Sequence, residues 1–371
     1  MEISQHRWTS SAGWEIPPAS AHSVNFVLVF SQAAYFRQPE CYQDLRRMFP
    51  AARIIGCSSA GNIHGTAISD DDIVVTAVTF NKGRVRLACA TVTPGEDLQA
   101  LATGLMNQLK AADLLHAFVL SDGLSVNGSD LACGLNSAGI AVTGGLAGDG
   151  EKFSSTWVMA DAPAAQNIVA IIGFYGELEA RSGCVAGWRE FGAERLVTRS
   201  SGNIVHEIDH QPALTIYTRY LGQMAKDLPG SGLRFPLSIR SSEQEKPVIR
   251  TLLAVDPAEH NLTFAGDVPQ GSFCRLMKTD IDTLIEGSGA AADAAKSDAH
   301  KQPSLCIVVS CVGRRLVLGE LTEEELDIVQ ERLGPEATLT GFYSYGELAP
   351  FSNVVQCQLH NQTMTLTTLI E

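Results

Sequence analysis

Asn25–Gly61 reads NFVLVFSQAAYFRQPECYQDLRRMFPAARIIGCSSAG. Its opening, Asn25 to Phe30, is short, apolar and β-branched, which predicts a buried strand. Ser31 to Met48 is helix-like, and Ala52 to Ile55 feeds the turn GCSSAG at 56–61. The same order returns twice. Ala117 to Leu120 is a strand, followed by SDGLSVNGSDL, a helix-like segment, and Ala141 to Thr143 running into GGLAGDG at 144–150. Leu305 to Val309 is a strand, followed by SCVGRR, a helix over Glu323 to Arg332, and Thr338 to Thr340 running into GFYSYGE at 341–347. Ser31 to Gly56 is 25 residues, Ser121 to Gly144 is 23 and Ser310 to Gly341 is 31. A unit of strand, Ser, helix, strand and Gly-rich turn therefore occurs three times, each followed by a β-rich segment. This predicts an α/β fold with mixed sheets, built from related modules packed pseudo-symmetrically, whose three turns begin at the carboxyl ends of comparable strands.

Between the modules the reading is more conventional. Residues 1–20, rich in Ser and Pro, look like a loose lead-in. Asp72 to Phe80 and Val85 to Thr93 alternate as antiparallel strands, and Asn81-Lys82-Gly83 supplies a hairpin signal, because Asn and Gly tolerate positive φ. Trp157 to Ala160 and Ile168 to Tyr175 form a second such pair across ADAPAAQN, and Thr93 to Ala111 is a helix. In the middle, Ile204 to Ile208 is a strand, Asp209 to Gly222 a helix, RFPLSI, VIRTLLAV and LTFAGDV successive strands, and Ile281 to Ala299 a helix. A change of composition and the polar stretch TRSSGN place a domain boundary near 195–203, giving two domains, 25–198 and 199–371.

The 371 residues are 45% hydrophobic and 18% charged, a foldable composition, with a formal net charge of −14. An acidic chain without a Lys/Arg cluster repels phosphate backbones, which argues against nucleic acid as a partner. No apolar run reaches the ~18 residues of a membrane span, and no basic region followed by an apolar core opens the chain, so a cytoplasmic protein without membrane insertion is expected. The nine cysteines are scattered without CxxC spacing, so neither a disulfide framework nor a zinc knuckle is supported.

These landmarks resemble the FIST family. GCSSAG, SDGL (121–124) and GGLAGDG look like its N-terminal domain; NIVHEIDHQPAL (203–214), RFPL (234–237), SCVGRR, GFYSYGE and LHNQTMTL (359–366) look like its C-terminal domain. The resemblance implies a sensory module for small ligands in bacterial signalling. It also implies, for a subset, b-type haem that senses nitric oxide and a partner histidine kinase or cyclic-di-GMP enzyme. A homo-oligomer is compatible with this reading. Where family members often carry Gly, after Glu207-Ile208-Asp209, this chain has His210.

Each motif has a functional and a structural reading. GCSSAG can direct backbone N–H groups and the hydroxyls of Ser58 and Ser59 at an anion, with Cys57 as a thiolate; or it is a tight turn around a buried Cys. Asp122 and Asp149, in SDGLSVNG and in GGLAGDG with its Gly145, can form an acid–base pair or bind their own loops. Arg314, beside Cys311 and Arg315, can bind a carboxylate or haem propionate, or pair with a neighbour such as Glu320. Tyr343, Tyr345 and Glu347 alternate, so an extended segment presents all three to an organic ligand with an amine or a flat ring; or they pack in the core. For a haem axial ligand His210 leads, ahead of His206 and His360. Three functions are thus carried forward: a haem gas sensor, a sensor of an amino acid or similar metabolite, and an enzyme using Cys57 or Cys311.

Overall fold

In the computed structural model, which describes residues 1–15, 23–297, 304–351 and 355–371, each module forms the same three-stranded nucleus. A leading strand runs parallel to the strand that comes after it and antiparallel to a return strand on its other side. In the first module these are Phe26–Ser31, Arg53–Ser58 and Asp72–Thr79. In the second they are Leu114–Ser121, Ala141–Leu146 and Ile168–Gly176. In the third they are Leu305–Cys311, Thr338–Ser344 and Met364–Ile370. The leading strands are central and buried on both faces, which is why they read as unbroken apolar runs rather than alternating ones.

The repeat holds residue by residue. Ser31 pairs with Ser58, Ser121 with Leu146 and Ser310 with Tyr343, so the serines that mark each module occupy one register. Two residues earlier, Gly56, Gly144 and Gly341 face Val29, Val119 and Val308. The three Gly-rich turns therefore leave comparable strands at their carboxyl ends, as expected.

Beyond each turn the chain departs from the sequence reading. Instead of returning at once to its own sheet, it donates a short strand to another module. Asn62–His64 pairs with Thr338–Ser344 of the third sheet, Gly346–Pro350 pairs with Ala141–Leu146 of the second, and Val158–Ala160 pairs with Arg53–Ser58 of the first. First gives to third, third to second and second to first, closing a ring of exchanges. A matching ring of backbone hydrogen bonds runs around the turns: Ala60 N–H donates to Tyr343 O (2.8 Å), Tyr345 N–H to Leu146 O (3.1 Å) and Gly148 N–H to Ser58 O (2.9 Å).

Both expected hairpins are consequently absent. Asp72–Thr79 lies in the first sheet while Gly83–Thr91 lies in the second, against Ile168–Gly176. The N–H groups of Asn81, Lys82 and Gly83 all donate to the Glu371 carboxylate, so the turn is a crossing between sheets. Likewise Val158–Ala160 joins the first sheet and Ile168–Gly176 the second. The loose lead-in is also corrected: Glu2–Thr9 is a strand pairing along its whole length with Asp72–Thr79, because that buried return strand offers it a complete edge. Gly83–Thr91 and Glu179–Val185 take the same outer place in the other two sheets. Residues 16–22 and 298–303, at the ends of the expected lead-in and of the expected helix Ile281 to Ala299, lie outside the described residues.

Each of the three sheets has six strands, and their inner faces meet in one apolar cluster that includes Phe30, Leu120, Val309, Cys57 and Phe342. A fourth, eight-stranded sheet is inserted in the third module between Arg189 and Lys278 and has its own core around Tyr217, Leu252 and Phe264. One of its strands, Arg189–Ser201, occupies the stretch where the composition changes. Among the described residues no helix is long and apolar enough to cross a membrane.

Candidate functional site

The first two Gly-rich turns and the helix Val312–Leu318 of the third module leave a space between them. A cavity of about 630 Å³ opens there, at the carboxyl ends of the parallel strands, where open α/β sheets commonly bind ligands. The first module supplies Gln32, Arg37, Ser59, Ala60 and the pair Asp70–Asp71; the loop after the second supplies Asp149 to Lys152, Ser154 and Ser155; the third supplies Val312, Arg315 and Leu316. Arg315 spans the modules, donating to Ala60 O (2.6 Å) and holding both Asp70 carboxylate oxygens at 2.7 Å. Asp71 accepts from Gln32 Nε2 at 3.1 Å.

Of the expected site residues, only Ser59 lines this cavity, together with Asp149 and Arg315 from the same motifs. The others lie close by but do not reach it, each being held in the core or by partners of its own. Cys57, Gly145 and Phe342 occupy equivalent inward positions. A side chain on Gly145 would meet Val309 and Phe342. Cys57 fills the first module's share of the core, and burial pushes its thiol well above its ordinary range, which favours the protonated form over the thiolate. Burial pushes Cys311 up likewise. Ser58 Oγ accepts from Trp157 N–H.

Asp122 accepts from Leu124 N–H, Ser125 N–H, Thr156 Oγ1 and Asn167 N–H, all at 2.8–3.0 Å, and is spent on its own loop. Asp149 accepts from Ser154 and Ser155 N–H groups, from Ser154 Oγ and from the Tyr345 hydroxyl. Arg314 is fully buried and pairs with Glu325, not with Glu320 as the neighbour in sequence; its remaining N–H groups go to Ala186 O, Leu284 O and Ser288 Oγ. Tyr343 OH donates to the same Glu325 at 2.7 Å.

Glu347 is sealed from solvent and accepts from Ser344 Oγ, Thr363 Oγ1 and Thr363 N–H. Burial pushes its carboxyl up to about 7, against the opposing pull of those hydrogen bonds. An unfolded Glu ionises near ~4.3. Between that value and about 7 the folded chain keeps a proton that the unfolded chain has lost, so this group's contribution falls as pH rises and is fully unfavourable above the window. Glu347→Gln should therefore gain on the wild type by about 3 kcal/mol between pH 4.5 and 8 in urea unfolding. Parallel stability curves would show that Glu347 is not held protonated.

The three histidines do not fit the haem expectation. His210 is exposed at the tip of a turn, with φ +59° at its backbone; this left-handed geometry explains why Gly suits the position, and it replaces the expected helix start, since the helix begins at Ala213. His206 is half-buried on the strand Ile204–Ile208. His360 is sealed, its Nε2 3.0 Å from Ala349 O, and burial pushes it down to about 4. None of the three lines the 630 Å³ cavity, whose wall, among the described residues, has no His, Cys, Met or Tyr to serve as axial ligand. Among the described residues no group of three or more His, Cys, Asp or Glu is placed to hold a metal ion.

Sequence reasoning missed Gln32, Arg37, Asp70, Asp71, Glu151 and Lys152. They are ordinary surface residues that only the exchange of strands gathers into one wall.

Residues 25–211 match the family model described as the FIST N domain, and residues 213–350 match the FIST C domain. An uncharacterized protein of Methanocaldococcus jannaschii is 21% identical over 354 residues, covering 83% of this chain; the chain spans 66% of that protein's length. Among solved structures, a chorismatase aligns over 100% of this chain and 98% of its own, at 8% identity and a TM-score of 0.36.

Proposed function

The chain belongs to the FIST family, and on that premise we propose that it senses a small zwitterionic metabolite of the amino-acid class in the 630 Å³ cavity. FIST domains are associated with small-ligand sensing and signal transduction. The observation that carries the finer reading is the meeting of all three modules at one cavity whose wall bears both signs of charge. Arg37 and Lys152 make no ion pair among the described residues and can take a carboxylate. Asp71 and Glu151 stand ready for an ammonium, and Ala33, Ala34, Val312 and Leu316 offer a modest apolar floor for a side chain. A ligand that bridges loops of different modules stabilises one relative arrangement of them, which a separate signalling enzyme, such as a histidine kinase, can read.

Isothermal titration with a panel of amino acids tests this. One or more should bind, and Arg37→Ala with Lys152→Ala should weaken that binding at least tenfold with an unchanged melting temperature. Binding that ignores both substitutions would remove the cavity from the account. The haem reading has its own check: protein expressed with haem supply should show no Soret band, and a Soret band abolished by His210→Ala would restore that reading.

A further inference from the structure

A second cavity, of about 350 Å³, opens on the other side of the loop Asp149–Ser155. Six of the seven loop residues line the first cavity; Phe153 alone lines the second. Its backbone is left-handed, with φ +48°, an unfavourable state for a residue with a Cβ. The Asp149 carboxylate imposes it by gathering the N–H groups of Ser154 and Ser155. The outcome is a phenyl ring left 47% exposed, stacked on Tyr345 with ring centres 4.5 Å apart.

Two more exposed apolar side chains face the same space. Leu124 comes from the SDGLSVNG loop and Leu253 from the inserted sheet, each 44% exposed. Single exposed apolar residues need no explanation, but three drawn from separate parts of the chain around one concavity mark a binding surface. Leu359 and Phe264, both buried, form the floor. Among the described residues Asp267 is the one charged residue lining this wall; its side chain accepts from Asn127 Nδ2 at 3.3 Å and makes no ion pair among them, while the buried guanidinium of Arg250 behind it donates to Asp267 O at 3.0 Å. The chemistry on offer is an aromatic stacking face, aliphatic walls and a single anion.

We propose that this cavity is a second ligand site and that it takes an aromatic amine. The ring packs between Phe153 and Leu253 over Leu359, and the ammonium pairs with Asp267. An aromatic carboxylate is disfavoured, because Asp267, the one charged side chain lining the wall among the described residues, repels it. This site does not depend on the identity of the ligand in the first cavity.

Three probes that share a ring but differ in charge test the idea on the full chain by isothermal titration: tryptamine, indole and indole-3-acetate. Tryptamine should bind at least tenfold more tightly than indole, and indole-3-acetate should not bind. Asp267→Asn should bring tryptamine down to the level of indole. Phe153→Ala and Leu253→Ala should each weaken tryptamine about tenfold while the protein stays folded, with at most a small fall in urea midpoint from the lost Phe153–Tyr345 stacking. Lys152→Ala, which alters the first cavity, should leave tryptamine binding as it is. The proposal is overturned if tryptamine shows no saturable binding at millimolar concentration, if the three probes bind alike, or if Lys152→Ala rather than Phe153→Ala removes the binding.

Discussion

Gly341→Ala should destabilise the protein by about 3 kcal/mol and leave little of it soluble. A Cβ built on Gly341 lies 1.8 Å from Val308 O, and backbone of a central strand cannot step aside. The equivalents repeat the contact, at 1.9 Å from Val119 O for Gly144 and 2.2 Å from Val29 O for Gly56, so Gly144→Ala and Gly56→Ala should behave alike. Gly104 gives the contrast. It lies within the helix Leu98–Leu109 with nothing near its would-be Cβ, and Gly104→Ala should stabilise by about 0.5–1 kcal/mol. Urea midpoints of the four variants decide the matter. If Gly341→Ala unfolds where the wild type does, the paired strands of the third module do not approach as closely as described.

Glu325→Gln is expected to cost a further large amount, about 3–5 kcal/mol, although it changes one atom. The pair Arg314–Glu325 has no solvent on either side chain. Glu325 also receives the Tyr343 and Ser310 hydroxyls at 2.7 and 2.9 Å, which ties the Gly-rich turn of the third module to the helix Glu324–Leu333. Neutralising the carboxylate leaves a guanidinium unpaired in a low-dielectric interior, the costly half of such a substitution. Arg314→Met should be comparably damaging. The double variant Arg314→Met with Glu325→Leu should recover a substantial part, since replacing both charges removes the penalty along with the attraction. Losses in the double variant that simply add would show that the two groups act independently.

How much of this was legible in the sequence depends on which forces leave a trace in composition. The modules were legible because strands buried on both faces must be apolar and because a carbonyl oxygen pressed against the place of a Cβ permits only Gly. The exchange of strands was not, because Asn62–His64 and Val158–Ala160 are three residues long, too short for a period to show. Asn81-Lys82-Gly83 has hairpin chemistry whichever sheet the next strand joins, so turn residues announced a bend and not its partner. At the candidate site, the motifs lie at the carboxyl ends of the strands where the 630 Å³ cavity opens, but most of their named residues do not line it. Cys57 is still within the strand Arg53–Ser58 and turns into the core, whereas Ser59 lies just past the strand's last residue, where the chain has turned toward the cavity; where the strand stops depends on sheets that the rest of the chain supplies.

The ring of donated strands also dictates a timetable for a chain emerging from the ribosome. The first sheet receives its last strand, Val158–Ala160, about a hundred residues after the strand it covers. The second must wait for Gly346–Pro350 before Ala141–Leu146 ceases to be an open edge. During that interval a hydrophobic strand with unpaired N–H and C=O groups is available to any other nascent copy. Chains stalled or cut short before residue 346 should therefore associate through Ala141–Leu146, and a supply of chaperone through the last third of synthesis should matter more to yield than the intrinsic stability of the finished fold.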